Sequence, residues 1–224
     1  MGTTNGKNKG PTKVGTTNGN YQLMYEWRKM TPQQRHEAFE YRRRCRLPWH
    51  GPPHPKSNLT TYHISAACYE HKPIIGKSPT RMADFEAQLL ESLAACTKEV
   101  FAWCVLPNHY HVLLETPDLK ALSPEIKRLH GRLAFQWNGE DGARGRKVWH
   151  RFSDRAIRSE GHFWATMNYD HHNPVHHGYV TRWQDWPYSS AAAFLEEVGS
   201  EKAEEIWKAY PLLEYGKGWD DPNL

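Results

Sequence analysis

The segment that most constrains the fold is an apolar run, Leu106–Leu114, which carries His109 and His111. Its Val, Leu and Tyr residues favour a β-strand. Side chains alternate between the two faces of a strand, so both histidines point to one face and Tyr110 to the other. Two imidazoles roughly 7 Å apart on one sheet face form a two-ligand edge for a divalent cation. An isolated His-x-His pair is common by chance, so this pattern alone does not establish a metal site.

A second segment, Tyr169–Val175, supplies complementary groups. We predict a helix over about residues 161–172, ended by Asn173 and Pro174 because the residue before a proline is pushed out of helical geometry. Tyr169 and Asn173 are four residues apart, which is the spacing of one helix face. A helix laid over the histidine strand would bring a nucleophile and an oxygen ligand to the same metal. This combination indicates phosphodiester chemistry, although a lone tyrosine on a helix is usually a packing residue.

The hydropathy pattern predicts four strands and several helices. The predicted strands are Tyr62–Cys68, Val100–Leu106, His109–Glu115 and Lys147–Arg158. The predicted helices cover residues 31–44, a segment capped by Ser78, a segment from Ser123 to about Trp137, residues 161–172 and residues 189–198. The two central strands are expected to pair as a hairpin across Pro107 and Asn108. This order of elements predicts an α+β fold with an antiparallel sheet covered by helices.

Charge is strongly segregated along the chain, although the net charge is only +4. Glu26–Arg46 holds seven basic residues against three acidic ones, and Ser123–Arg158 holds nine against four. From Glu196 to the end the balance reverses to three lysines against eight acids. Two basic zones predict a polyanionic partner, with a solvated surface as the alternative. Aromatic residues within these zones favour nucleic acid, because their rings stack on unpaired bases: Trp27, Tyr41, Trp137, Trp149 and Phe152.

Composition and length predict one domain with extensions. We expect a disordered tail over 1–20, a basic helix and Pro-rich linker over 21–58, the main domain over 59–198, and an acidic tail over 199–224. The four cysteines show no CxxC spacing, which favours reduced thiols over disulfides or a zinc site. The N-terminus is polar and no apolar run reaches membrane-spanning length, so we expect a soluble cytoplasmic protein without a membrane partner.

Five motifs in one consistent order carry a family resemblance. They are Pro107–Leu114, Trp149–Phe152, Asp154–Ile157, Tyr169–Gly178 and Asp185–Ser190. Together they resemble the REP-associated tyrosine transposases, which belong to the single-tyrosine HUH transposase superfamily. The resemblance extends from about Tyr62 to Phe194, the greater part of the chain. It implies a ferredoxin-like or RRM-like sheet, the fold of the HUH nucleases.

The resemblance also implies an activity and a set of site residues. The expected function is a metal-dependent single-stranded DNA endonuclease and strand transferase that acts on REP-like hairpins through a 5′-phosphotyrosine. Tyr169 matches the nucleophile, His109 and His111 match the catalytic metal ligands, and Asn173 matches a third ligand position. The set suits Mg²⁺ or Mn²⁺, with a bias to Mn²⁺ because imidazole is softer than carboxylate. Asp170 departs from the pattern, since an aliphatic residue is more usual there.

Several further residues have roles that the sequence leaves open. The resemblance suggests that Arg42, Arg43, Arg44 and Arg46 grip the hairpin. Arg151 and Arg155 are expected to contact DNA phosphates, with surface salt bridges as the alternative. His171 and His172 are interpreted either as proton acceptors for Tyr169 or as structural groups. His176 and His177 are candidates for phosphate contact.

Two other functions fit the same residues. One is a catalytically silent regulator that binds nucleic-acid hairpins on the same fold, which would have no need of all four site residues. The other is a hydrolytic metal phosphoesterase that uses water in place of Tyr169. One nucleophile per chain suggests a homodimer if two strands are exchanged, although no dimer-specific pattern is present.

Overall fold

The computed structural model describes Thr31, Gln33 and residues 60–216, and residues 60–216 fall within one compact unit. Its centre is a four-stranded antiparallel sheet in the order β2-β3-β1-β4. The strands are β1 (Thr61–Ala67), β2 (Glu99–Val105), β3 (His109–Glu115) and β4 (Ser153–Ala156). A helix connects β1 to β2 and another connects β3 to β4, which is the ferredoxin-like arrangement. The predicted α+β fold and the predicted hairpin of the two central strands are confirmed.

One face of the sheet is packed against two long helices, α1 (Pro79–Ala94) and α2 (Leu119–Glu140). Ser78 caps α1 by accepting a hydrogen bond from the Arg81 backbone N–H at 3.1 Å, as its position in the sequence predicts. The predicted apolar stripe of α1 is buried: Met82, Phe85, Leu89 and Leu93. These side chains meet the inward residues of the central strands, which leaves the opposite sheet face for chemistry.

The opposite face is covered by α3 (Glu160–His176), α4 (Ala191–Val198) and α5 (Ser200–Ala209). Three short 3₁₀ turns complete the described elements: Tyr69–His71, Ile75–Lys77 and Trp183–Asp185. The core on this side is small and joins Leu113 of β3 to Met167 of α3 and Phe194 of α4. Because this core is confined to one part of the sheet face, polar side chains fill the remainder.

Two predicted helix boundaries are wrong because a proline that was expected at a helix end lies inside the helix. Asp118, not Ser123, caps α2 by accepting from the Lys120 N–H at 2.8 Å, and Pro124 lies inside that helix. Similarly, α3 continues through Pro174 to His176. A proline removes one backbone hydrogen bond from a helix, whereas the packing of the whole helix supplies most of its stability.

Strand β4 is shorter than predicted. It covers only Ser153–Ala156, and Trp149 makes an isolated bridge to Cys68 instead of extending the ladder. Cys68, Cys96 and Cys104 carry free thiols, as expected. Residues 199–216, expected as part of an acidic tail, include helix α5.

Several predictions from the sequence concern residues that lie partly or wholly outside the described ranges. Within the predicted helix over 31–44 only Thr31 and Gln33 are described, and Gln33 is helical. The expected tail over 1–20, the Pro-rich linker and the arginine run Arg42–Arg46 lie outside the described residues. Across residues 60–216, no helix has both the length and the apolar character needed to cross a membrane.

Candidate active site

The polar face of the sheet gathers three histidines from two neighbouring strands. The register of β1 against β3 is His63 with Leu113, Ser65 with His111, and Ala67 with His109. Residues paired across an antiparallel ladder point to the same face, as do residues two apart in one strand. His63, His109 and His111 therefore share one face. Arg155 of β4 pairs with His63 and lies on that face as well.

Helix α3 lies over this face and brings the remaining predicted residues to the histidines. The ring of Tyr169 meets the ring of His111 edge-on, with centroids 5.2 Å apart. One turn later, Asn173 Oδ1 lies 3.1 Å from His109 Nε2. The rings of His109 and His111 are 5.0 Å apart, centroid to centroid. The four residues singled out by the two sequence motifs thus lie together in the structure.

Hydrogen bonds around His109 orient its ring so that Nε2 is available to bind a cation. The Asn108 side-chain N–H donates to the His71 carbonyl at 3.2 Å, which leaves Asn108 Oδ1 as the acceptor for His109 Nδ1–H at 2.7 Å. His109 Nε2 then carries a lone pair and faces the Asn173 Oδ1 acceptor. Two acceptors at that distance repel each other unless a cation or a proton lies between them. The donor set of imidazole and amide oxygen therefore suits a divalent metal.

Two residues of this cluster, His63 and Asp170, are not among the ligands predicted from the sequence. His63 Nε2 lies 2.9 Å from Asp170 Oδ1, and the His63 ring stacks on the His111 ring at 5.2 Å with an interplanar angle of 13°. The side chains of His63, His111 and Asp170 are at most 3% exposed. The departure of Asp170 from the usual aliphatic residue was a signal that something polar faced it, but only the strand register identifies His63 as its partner.

A C-terminal segment, residues 210–216, covers the candidate nucleophile, which is 6% exposed. A Cβ atom added to Gly216 would lie only 2.1 Å from Cε2 of Tyr169, so the Gly216 backbone rests directly on that ring. The Tyr215 ring centroid is 6.0 Å from that of Tyr169, and its hydroxyl is hydrogen-bonded to Thr166 Oγ1. Burial raises the pKa of Tyr215 to about 12, so this hydroxyl stays protonated. Residues 210–216 therefore shield most of the Tyr169 side chain from solvent.

The other histidines of α3 have distinct surroundings. His171 is fully buried, with Nε2 2.8 Å from Ser190 Oγ, and burial lowers its pKa to about 3. His172 donates from Nδ1 to the Asn168 carbonyl at 3.1 Å, and burial lowers its pKa too. His177 lies near His109, with ring centroids 5.0 Å apart, whereas His176 is exposed. These contacts give His171 and His172 hydrogen-bond partners in Ser190 and Asn168.

The arginines predicted to contact DNA differ in where they lie in the structure. Arg155 is half-buried on the polar face, and burial followed by the positive charge of Arg155 lowers the pKa of His162 to about 4. Arg151 is exposed just before β4, and Arg42, Arg43, Arg44 and Arg46 lie outside the described residues. Phe135 on α2 is a further exposed aromatic residue within the basic zone Ser123–Arg158. It is 72% exposed, with the Arg144 guanidinium 4.6 Å from its ring centroid.

Comparisons with known proteins agree with the fold and with the sequence motifs. No family model matches the chain. A solved structure of a REP-associated tyrosine transposase bound to a REP hairpin shares the fold with a TM-score of 0.51 and 22% identity, over 67% of this chain and 86% of that chain.

Two bacterial relatives carry the name REP-associated tyrosine transposase. The chain is 32% identical over 125 residues to a protein of Haemophilus influenzae. That alignment covers 51% of this chain and 69% of the relative. The chain is also 33% identical over 97 residues to a protein of Escherichia coli K12. That alignment covers 41% of this chain and 53% of the relative. Because the match to the Haemophilus influenzae protein extends over more than two thirds of that protein's length, the chain belongs to the REP-associated tyrosine transposases.

Proposed function

We propose that this protein cuts and rejoins single-stranded DNA at REP-like hairpins, with Tyr169 as the nucleophile. The observation that carries the proposal is the meeting of Tyr169, His109, His111 and Asn173 on one face of the sheet. A protein that only binds DNA has no need of a tyrosine beside a ligand set of two imidazoles and an amide. Family membership supports the same reaction class.

His109, His111 and Asn173 are the residues that would hold the divalent cation. When bound, Mg²⁺ or Mn²⁺ supplies Lewis-acid polarisation of the scissile phosphate. Asn108 holds the proton of His109 on Nδ1 and so keeps Nε2 available as a ligand. Two imidazoles and one neutral oxygen favour Mn²⁺ over Mg²⁺, because Mg²⁺ prefers oxygen ligands.

Tyr169 would carry the covalent step. Its hydroxyl oxygen forms a bond to phosphorus and loses its proton, while the bond from phosphorus to the 3′ oxygen breaks and that oxygen takes up a proton. The products are a 5′-phosphotyrosine and a free 3′-hydroxyl. No water is consumed, so the phosphoester is conserved for rejoining. Exchange of two strands would need two copies of Tyr169, and therefore two copies of the chain.

Charged and aromatic groups support a single-stranded hairpin as the substrate. Arg155 lies on the same sheet face as His63, where it would neutralise a backbone phosphate. Phe135, with Arg144 against its ring, would stack on an unpaired base. The solved relative is bound to a REP hairpin. The arginine run from Arg42 to Arg46 is proposed as a further hairpin contact.

The test is incubation of the purified protein with labelled single-stranded hairpin DNA and Mn²⁺, followed by a denaturing gel. Wild type should give a covalent protein–DNA band, and Tyr169→Phe should give none while binding the hairpin as before. Tyr179→Phe is the matched control, because Tyr179 is an exposed tyrosine outside the cluster. Cleavage without a covalent band, retained in Tyr169→Phe, would instead identify a hydrolase.

The second candidate function is a hairpin-binding regulator without catalysis. The observation that favours it is the cover of Tyr215 and Gly216 over Tyr169. A regulator would bind the hairpin tightly and form no covalent product, even in a variant whose cover is displaced, such as Gly216→Ala. A covalent product from that variant would exclude this function.

A further inference from the structure

We propose that His63, His111 and Asp170 form a divalent-cation site, so that metal ligation in this chain extends beyond His109 and Asn173. We refer to these three residues as the His63 site. It adds a carboxylate and a third imidazole to the cluster. Neither His63 nor Asp170 belongs to the sequence-predicted ligand set of His109, His111 and Asn173.

The geometry of the His63 site comes from three elements that hold one another in place. His63 is on β1, His111 is on the adjacent strand β3, and Asp170 is on α3 above them. One ligand atom from each of the three residues lies within 4.8 Å of the other two. Two donors that each lie about 2.1 Å from one cation are at most about 4.2 Å apart, so side-chain adjustments of a few tenths of an ångström bring the three atoms within coordination range. Sites built on strands and helices are held more rigidly than sites on loops.

The chemistry of the donor set points to a first-row divalent metal. Two imidazoles with one carboxylate suit Mn²⁺, Fe²⁺, Co²⁺ or Zn²⁺ better than Mg²⁺, which prefers oxygen ligands. Asp170 is 0% exposed, and its charge attracts a cation more strongly there than at the surface. The neutral amide of Asn173 offers no such charge. We therefore expect the His63 site to set the affinity of the cluster.

A structural alternative is that Asp170 only orients His63. The separation of 2.9 Å between His63 Nε2 and Asp170 Oδ1 is also that of a hydrogen-bonded pair. What distinguishes the two interpretations is His111, whose ring lies parallel to that of His63 at 5.2 Å and whose donor atom completes the triad. An orienting pair needs no third donor.

The His63 site shares His111 with the proposed reaction centre. Any part it has in catalysis therefore rests on the proposed function, but its occupancy by metal does not. Binding is measured without DNA, so the two proposals fail separately.

The experiment is a Mn²⁺ titration of the full chain, with free Mn²⁺ followed by electron paramagnetic resonance. Asp170→Asn and His63→Gln should each weaken Mn²⁺ binding by about tenfold or more. Asn173→Ala should weaken it less than either. Asp185→Asn is the matched control, since Asp185 is an exposed carboxylate paired with Arg182, and it should bind as wild type does.

Mn²⁺ affinity within twofold of wild type in both folded variants, Asp170→Asn and His63→Gln, would overturn the His63 site. Loss of binding in Asn173→Ala alone would also overturn it and would leave the proposed function standing. Circular dichroism checks that each variant is folded. If Asp170→Asn is unfolded, Asp170→Ile replaces it, because an aliphatic side chain itself brings no polar atom into a buried position.

Discussion

The histidines of the site depend on neighbours that fix their protons. His109 is the clearest case, because Asn108 accepts from Nδ1 and is itself held by the His71 carbonyl. Removing that acceptor frees the ring to rotate and to exchange tautomers. Groups that orient a ligand in this way commonly change metal affinity by about 10- to 100-fold.

We therefore predict that Asn108→Ala weakens Mn²⁺ binding by about tenfold without unfolding the protein. Isothermal titration calorimetry with MnCl₂ measures the change, and a melting curve checks the fold. Asn108→Asp keeps an acceptor for His109 Nδ1 but loses the hydrogen bond to the His71 carbonyl, so it should bind Mn²⁺ more tightly than Asn108→Ala. Equal affinities for wild type and Asn108→Ala would remove Asn108 from the proposed ligand support.

Single residues differ in how far the sequence reveals them. His109 and His111 are two apart in one strand, and Tyr169 and Asn173 are four apart in one helix, so local periodicity predicts that each pair shares a face. His63 and Asp170 are 107 residues apart, and their contact depends on strand register and on where α3 crosses the sheet. No local pattern encodes that crossing.

His130 is predicted to make stability depend on pH. It stacks on Trp149 at 4.0 Å, accepts from or donates to the Tyr110 hydroxyl at 3.0 Å, and has a pKa lowered by burial to about 3. Its pKa when unfolded is about 6.5. Since the folded value is the lower one, its contribution is fully present above about pH 6.5 and is lost progressively as pH falls toward 3.

Between pH 6.5 and 5.5 this single group should lower the free energy of unfolding by about 1 kcal/mol. Urea unfolding at the two pH values measures the change in wild type and in His130→Gln. The variant should lose less stability over this interval by about that amount. His176→Gln, which replaces an exposed histidine, is the matched control variant. The same pH dependence in wild type and His130→Gln would contradict the assignment.

At the scale of elements, one carboxylate ties α1 to the end of α2. Asp141 follows α2, and its side chain is 5% exposed. It accepts from Arg81 at 2.7 Å, Lys77 at 2.6 Å and Arg146 at 2.7 Å. Hydrogen bonds hold the pKa of Asp141 well below its usual range, and the bond from Arg81 has the largest effect. The carboxylate therefore stays charged at neutral pH.

We predict that Asp141→Asn lowers the free energy of unfolding by about 2 kcal/mol, because the poorly exposed Arg81 loses its charged acceptor. Denaturant unfolding at pH 7 measures the loss. The exposed pair of Arg182 and Asp185 gives the comparison, and Asp185→Asn should change little. If both variants lost equal stability, the network around Asp141 would have no special structural role.

The elements also show where sequence reasoning fails. Strand positions and the apolar stripe of α1 were predicted because period-2 and period-3.6 patterns follow from the geometry of the elements themselves. Pro124 and Pro174 misled the prediction of α2 and α3, because tertiary packing of a long helix outweighs one missing hydrogen bond. The cover of residues 210–216 over Tyr169 had no local signal beyond its charge.

Displacing that cover is predicted to expose the nucleophile. Gly216 has φ of 80° and lies against the Tyr169 ring, so Gly216→Ala adds both backbone strain and a clash. We expect Gly216→Ala to form the covalent DNA product faster than wild type in a time course on denaturing gels. Leu213→Ala is the matched control, since Leu213 is 87% exposed, and should behave as wild type. Equal or slower product formation by Gly216→Ala would mean that the cover does not limit access.

At the scale of the whole molecule, the sheet divides packing from chemistry. One face is closed by α1 and α2 over the larger of the two apolar cores. The other face carries histidines, Arg155 and the helix with Tyr169. This division explains why the fold was predictable from hydropathy, whereas the full extent of the polar cluster was not. The chain uses buried polar groups where a purely structural domain would use apolar ones.

The proposed function requires that Tyr169 itself becomes joined to DNA. The most direct measurement is mass spectrometry of the protein after reaction with hairpin DNA and Mn²⁺, followed by nuclease and protease digestion. We predict one modified peptide, with a nucleotide 5′-phosphate on Tyr169. A modified peptide at any other tyrosine, or cleaved DNA with no modified peptide, would contradict the account.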